Sequence, residues 1–389
     1  MKQIKNRLRD GIGIFTGTHN TYKRLQKHFN KQPIGFPATI TGVERRILSS
    51  YFTVDEAEIA LFLSYKFQSA GRIFENVRHQ GVTEEQLQNM LDNMEKNGAI
   101  FVNIIDGKKQ YALAPFVIGM IDQKVHTMDA RFVLDYRKYA YQSYVMEHLT
   151  TSHPQGRVIP IQKAVTPDMQ IATYDEIREL VRQREGHICV AECFCRVGKD
   201  KIGRHCLATD RRDVCLVVGD FGDQYIRNGL GQAISSEEAL EILAENEKEG
   251  LVLQTSNCQK SIWICSCCKC CCGLLELVSF LPKPAAFVGS NYYATLDADQ
   301  CTGDGKCVEK CTTEAITLTK KKTVRINRNR CLGCGVCVAT CETGALSLKK
   351  KETPYVPPEN LEMLFEEILK DKKGPVGRVL HLGRKFIGR

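Results

Sequence analysis

The chain has 389 residues, 43% of them hydrophobic and 25% charged, with a net charge of +9 and 19 cysteines. That length allows two or three domains, and the balance is ordinary for a soluble protein; no apolar run approaches the span of a membrane helix. The cysteine count is not ordinary, and in a long chain without an export signal clustered cysteines read as metal ligands rather than disulfides.

The segment from Met1 to Asp10 is basic, and Gly-Ile-Gly-Ile-Phe (11–15) is too short for the apolar core of a signal peptide. We therefore expect a cytoplasmic protein of a reducing, anaerobic setting. The charge is unevenly spread. Residues 1–31 carry +7 and residues 372–389 carry +6, which leaves −4 for the body. Basic ends of this kind suit an acidic partner, anionic lipid or nucleic acid, or are simply solvated.

In chain order, residues 1–35 read as a basic arm ending at Pro33 and Gly35. Residues 36–115 read as a winged-helix-like domain. Val43–Tyr51 and Val54–Ser64 have helical apolar spacing, with Thr53 and Asp55 as cap candidates. Thr83 and Gln86 form a capping box for a helix running to Asn97. Ala99–Ile104 and Gln110–Leu113 then form a hairpin around Asp106-Gly107. In a DNA-binding winged helix the second helix enters the major groove. Here that helix carries Glu84, Glu85, Asp92 and Glu95 against Lys96. Four acids oppose a phosphate-facing role, so nucleic acid is not the expected partner, and docking or scaffolding is favoured.

Residues 116–292 read as a mixed, cysteine-rich domain. Long helices are expected over Phe116–Ala140 and Thr173–Glu185, with an extended linker punctuated by Pro154, Pro160 and Pro167. A helix is expected over Glu237–Gly250, capped by Ser235 or Ser236. This region holds twelve cysteines in two groups. The first is Cys189, Cys193, Cys195, Cys206 and Cys215. The second is Cys258 and the run Cys265, Cys267, Cys268, Cys270, Cys271 and Cys272. Six thiols within eight residues carry heavy oxidation risk unless metal uses them. Adjacent cysteines point different ways, so not all serve one centre. At least one further [4Fe–4S] cluster within 189–272, assembled from both groups, is expected. Its candidate ligands are Cys193, Cys195, Cys206, Cys215, Cys265, Cys267, Cys268, Cys270, Cys271 and Cys272. A tetrathiolate zinc site or a thiol relay is the alternative. Arg196, His205 and Lys269 lie beside these thiols in sequence. Trp263, the only Trp, is expected in the core.

Residues 293–349 contain two copies of one pattern. Cys301, Cys307 and Cys311 recur 30 residues later as Cys331, Cys337 and Cys341, and Cys334 completes the second copy. The strands that follow repeat as well, over 314–318 and 344–348. The second copy has the C-x2-C-x2-C-x3-C spacing of a bacterial-type two-cluster ferredoxin, in which the fourth cysteine serves the other cluster. By that rule Cys331, Cys334, Cys337 and Cys311 hold one [4Fe–4S] cluster. Cys301, Cys307 and Cys341 hold the other. Asp304 occupies the slot that matches Cys334. Its carboxylate ligates the fourth iron, or that iron is absent and the cluster is [3Fe–4S], or Asp304 faces solvent and another thiol substitutes. Thr312 and Glu342 stand where ferredoxins often have Pro. Residues 350–389 read as a short helix over 359–370 and a basic tail. The tail mixes apolar and basic residues as a membrane-surface segment would, but its three glycines argue against a stable helix.

Several stretches carry a family resemblance: Ala191-Glu-Cys-Phe-Cys-Arg196, Tyr225-Ile-Arg-Asn-Gly-Leu-Gly231, Gly250-Leu-Val-Leu-Gln254, Ile264-Cys-Ser-Cys-Cys-Lys-Cys-Cys-Cys272 and Ala294-Thr-Leu-Asp-Ala-Asp299. Over roughly 35–350 the chain resembles the dicluster 4Fe–4S ferredoxin-domain proteins of anaerobic bacteria and archaea, which have a winged-helix-like N-terminal region. That family usually has cysteine where Asp304 stands. The resemblance implies an electron-transfer subunit working beside another redox enzyme.

The expected fold class is therefore α+β, with a helical winged-helix-like N-terminal region, a mixed cysteine-rich middle and a C-terminal bacterial-type two-cluster ferredoxin domain. The expected function is passage of single electrons to or from a partner oxidoreductase, such as a flavoprotein or a larger complex. A redox-sensing DNA-binding regulator and a reductase with its site in the 193–272 cysteine field are the alternatives. No nicotinamide, flavin or P-loop fingerprint is present, so a redox subunit is favoured over a free-standing enzyme. Location is expected to be cytoplasmic, with the basic ends able to touch a membrane surface.

Overall fold

The computed structural model describes residues 20–166, 169 and 171–387. The chain is mixed helix and sheet, and divides into two compact units between His148 and Leu149. The expected boundary at 115/116 is thus displaced.

In the N-terminal unit, the arm expected over 1–35 is in part a helix. Residues 20–31 are helical, and Tyr22, Leu25, Gln26 and Phe29 are buried. Their spacing puts one stripe inward and leaves Lys23, Arg24 and Lys27 exposed. Residues 1–19 lie outside the described residues. Helices Val43–Ser49 and Val54–Ala60 follow, the second closed by a capping box between Thr53 and Glu56. Next come strand β1 (Gln68–Ser69), helix Ala70–Val77 and helix Glu84–Lys96, the last with the expected Thr83–Gln86 box. Strands β2 (Ile100–Ile105) and β3 (Lys108–Leu113) pair antiparallel around Asp106-Gly107. Both turn residues have positive φ, 51° and 73°, as a two-residue hairpin turn requires. β1 joins the free edge of β3, giving the order β1-β3-β2.

The long helix expected over 116–140 is broken. Gly119 leaves helical geometry, and regular helix resumes only at Ala130–Tyr139, capped by Asp129. Aromatic packing explains why this segment belongs to the N-terminal unit. Phe36 lies 5.0 Å from Phe116 and 4.6 Å from Tyr139, ring centre to ring centre.

The C-terminal unit is built on a six-stranded antiparallel sheet. Its strands are β4 (Gly156–Val158), β5 (Ile188–Glu192), β6 (Asp213–Val218), β7 (Gly231–Ala233), β8 (Val252–Ser256) and β9 (Trp263–Cys267), in the order β4-β8-β9-β6-β5-β7. β4 is fully buried inside what was expected to be a linker. Pro154 and Pro160 flank it, and Pro167 lies outside the described residues. The helix expected over 173–185 is shortened to Ile177–Arg182, because the Glu176 side chain accepts the N–H groups of Arg178 and Glu179 and starts it there. Helix Ser236–Lys248 forms as expected, with a Ser235–Glu238 capping box and Gly250 left-handed beyond its end.

The repeat segment adds β10 (Tyr292–Leu296), β11 (Ile316–Leu318), β12 (Val324–Ile326) and β13 (Leu346–Lys350); β10 pairs with β13 and β11 with β12. It shares a compact unit with the cysteine-rich sheet, so the boundaries expected at 292/293 and 349/350 fall inside that unit. Arg330 is one tie. It donates to the carbonyls of Thr313, Leu281 and Ser279 at 2.7, 3.0 and 2.9 Å. After helix Leu361–Lys370, the basic tail forms a second helix, Pro375–Ile387, despite its glycines. Tertiary contacts outweigh propensity here. Lys385 donates to the Thr151 carbonyl, and Phe386 packs 5.5 Å from Phe287. Among the described residues no helix is long and apolar enough to cross a membrane.

Candidate metal centres

The two copies of the C-terminal repeat have nearly the same backbone. Gly303 and Gly333 have φ of 68° and 67°, and Gly305 and Gly335 have 82° and 81°. These left-handed turns curl each cysteine loop and start the short helices that carry Cys307 and Cys337. A Cβ at Gly333 would collide with the Tyr292 carbonyl, so glycine is required there.

Cys331, Cys334, Cys337 and Cys311 surround one pocket, walled by Ile316, Val336 and Leu348. Backbone N–H groups point at its sulfurs: Ala315 donates to Cys311 Sγ at 3.1 Å and Ala294 to Cys331 Sγ at 3.4 Å. Burial pushes the Cys334 thiol up to about 12 and raises Cys331 and Cys337, so a cation is needed to hold these sulfurs as thiolates. In the other set, Cys301, Cys341 and Asp304 are the charged neighbours of buried Cys307. Asp304 is partly solvent-exposed. Its carboxylate accepts the Lys306 N–H at 3.1 Å and lies 4.0 Å from the Lys306 ammonium. Thiolate donors, inward N–H groups and an apolar pocket together fit iron–sulfur clusters.

Residues 300–345 match the family model of the 4Fe-4S dicluster domain. This segment is a 4Fe–4S ferredoxin-like domain. No curated protein and no solved structure matched the chain.

Beside the dicluster domain, the cysteine-rich sheet gathers ten of its twelve thiols into two sets. Each set draws on both cysteine groups of the sequence. The first set is a quartet. The Sγ atoms of Cys206, Cys268, Cys270 and Cys271 all lie within 4.8 Å of one another. Cys206 is 3.7 Å from both Cys268 and Cys270, and Cys270 is 3.4 Å from Cys268 and 3.8 Å from Cys271. Leu251, fully buried, packs beneath them.

The second set is a ring of six. Cys193 neighbours Cys195 and Cys215, Cys265 neighbours Cys215 and Cys267, and Cys272 neighbours Cys195 and Cys267. Strand register explains part of this. Leu216 of β6 opposes Ile264 of β9, which sets Cys215 and Cys265 side by side, and Cys267 follows two residues on along the same face. Cys193 and Cys272 each precede a helix, Phe194–Lys201 and Gly273–Ser279. The Cys195 and Cys215 thiols, with the Arg196 N–H, hold Cys193 below the ordinary thiol range. The Cys195 and Cys267 thiols, with the N–H groups of Leu275 and Leu274, do the same for Cys272.

Arg196 serves both sets. Its side chain is wholly buried, and Nη2 donates to the Ser266 carbonyl at 2.9 Å and to Cys268 Sγ at 3.8 Å. The Cys271 thiol, aided by Arg196, holds Cys268 down at about 5 against its burial. His205 instead bonds Asp200, and Lys269 pairs with Glu314 of the dicluster domain at 2.5 Å. Cys189 belongs to an apolar cluster with Ala191, Val217, Tyr225 and Leu230, and Cys258 bonds Ser256 and the Lys260 carbonyl. Trp263 is buried. Sequence reading missed the polar supports: Ser266, Asn246 and Arg211 form a chain under β9, with Asn246 donating to Ser266 Oγ at 2.7 Å. Nothing in their local sequence marks them.

Proposed function

We propose that this protein is an iron–sulfur electron carrier that passes single electrons to or from a partner oxidoreductase. The observation that carries the reading is the crossover set of Cys311, Cys331, Cys334 and Cys337 around one pocket, with backbone N–H groups aimed at the sulfurs. When bound, clusters supply one-electron redox chemistry; the chain supplies ligands, a low dielectric and hydrogen bonds that set potential.

The cluster of Cys301, Cys307 and Cys341 is the more labile. Asp304 is committed to the Lys306 N–H and to solvent, so it is a weak fourth ligand, and we assign this site a [3Fe–4S] cluster or a [4Fe–4S] cluster with a loosely held iron. The six-thiol ring is the natural seat of a further iron–sulfur cluster. The cysteine-rich sheet adjoins the dicluster domain through Lys269–Glu314, beside the quartet, and through Arg330, whose carbonyl partners Ser279 and Leu281 lie at and just beyond the end of the helix led by ring member Cys272. That contact supports an electron path between sheet and dicluster domain.

Residues 54–113 follow the helix, strand, two-helix and hairpin order of a winged helix, and we read them as a protein-docking module. Asp92 and Glu95 of its second long helix are both bonded by Lys109, at 2.9 and 2.8 Å, which suits a protein partner better than phosphate. The partner is a flavoprotein or a larger redox complex in anaerobic cytoplasm, and the basic ends allow contact with a membrane surface.

Stopped-flow mixing tests the proposal. The chain is photoreduced without oxygen and mixed with an FMN-containing acceptor protein. We expect reoxidation of the intact chain, and a rate lower by roughly tenfold or more after Cys334→Ser, since even outer-shell changes cost that much. A chain that takes up no electrons, or transfers them equally well after Cys334→Ser, contradicts it.

A further inference from the structure

We propose that Cys206, Cys268, Cys270 and Cys271 form a separate site for one tetrahedral zinc ion, distinct from the iron–sulfur clusters. The inference goes beyond the electron-carrier reading and does not depend on it.

Distance is the first argument. Four sulfurs around one zinc at about 2.3 Å stand about 3.8 Å apart. Four of the six sulfur separations in the quartet are 3.7, 3.7, 3.4 and 3.8 Å, and all six are within 4.8 Å. A cubane binds each thiolate at a different iron corner and holds the sulfurs much further apart. The dicluster domain serves as an internal comparison. Among the described residues its cysteines form no group of three or more with sulfurs all within 4.8 Å of one another, and neither does the six-thiol ring. The quartet alone has single-ion spacing.

Local backbone is the second argument. A turn at Cys268, in which the N–H groups of Cys271 and Cys272 reach the Cys268 carbonyl at 3.4 and 3.0 Å, folds the run back on itself. It places Cys268, Cys270 and Cys271 around one point while Cys267 and Cys272 join the ring. Cys206 closes the site from a different loop. That loop is clamped by Arg212 to Asp200 at 2.6 Å and by Thr209 to Glu249 at 2.7 Å.

Charge is the third. Zinc with four thiolates carries a net negative charge, which a buried site must offset. Arg196 lies against Cys268, wholly buried, and its Nε and Nη1 have no protein partner. Buried, unpaired guanidinium donors are costly unless an anionic group accepts them, and the loaded quartet is one. Four protein ligands leave no open position, so the ion is structural. It pins the Cys206 loop to the cysteine run.

The test uses the full chain made in iron-replete cells and purified without oxygen. Metal analysis should find about one zinc per chain that survives cluster reconstitution. Cys206→Ser should lower retained zinc about tenfold or more while iron content and the cluster EPR signals stay unchanged. Absence of zinc, or loss of iron instead of zinc in the variant, overturns the proposal. Should Cys206→Ser fail to fold, zinc-edge X-ray absorption on the unaltered chain decides. Four sulfurs at about 2.3 Å are expected, and a shell containing nitrogen or oxygen overturns it.

Discussion

Asp304 is the one ligand-slot residue that differs between the two cysteine loops. Around it the backbone repeats to within a degree at the paired glycines, so the difference is chemical rather than conformational. A carboxylate bonded to the Lys306 N–H competes poorly for iron. We expect the oxidised protein to show a three-iron EPR signal, and Asp304→Cys to replace it with a second reducible [4Fe–4S] signal and raise iron by about one per chain. An unchanged spectrum in Asp304→Cys would exclude this assignment. At this scale the dicluster domain was legible because cysteine spacing is a local property of the chain. The division of the ten other thiols was not. Which of Cys267, Cys268, Cys270, Cys271 and Cys272 share a centre depends on the direction of β9 and on the turn at Cys268, and Cys206 arrives from a loop 62 residues away.

Among the elements, those with a start signal in their own sequence formed where expected. Thr53, Thr83 and Ser235 each complete a capping box, and Asp106-Gly107 makes its turn. Elements set by distant partners were misread. β4 is a strand because β8 pairs with it, and the tail helix exists where Thr151 and Phe287 receive it. The helix over 20–31 was masked by its many basic residues. It yields a prediction on pH. His28 is part-buried, with Nε2 at 2.7 Å from the Leu63 carbonyl, and burial lowers its pKa below the ordinary 6.5. The unfolded chain therefore binds the proton first, so stability present at neutral pH is lost as pH falls below about 6.5. Thermal unfolding of the full chain should start a few degrees lower at pH 5.5 than at pH 7.5, and His28→Gln should flatten that dependence. An equal pH dependence in His28→Gln would refute the role of this residue.

At the scale of the molecule, the sheet and the dicluster domain are one compact unit, which sequence patterning divided in two. The patterning was sound locally, since each part has its own strands and cysteines. What it could not register is the polar joint: Arg330 on the Leu281 and Ser279 carbonyls, and Lys269 paired with Glu314. Such a joint makes sense if thiol-held centres on both sides must keep a fixed separation, as electron transfer requires. The number of centres one chain holds is directly measurable. Iron, acid-labile sulfide and zinc should be measured on the same anaerobic sample, together with EPR before and after reduction. We predict about eleven or twelve iron atoms, about twelve sulfides, one zinc, and signals that appear or vanish on reduction. A count of about seven or eight iron atoms would confine clusters to the dicluster domain and contradict the cluster assigned to the ring; fewer, or no reducible signal, would contradict the electron-carrier reading itself.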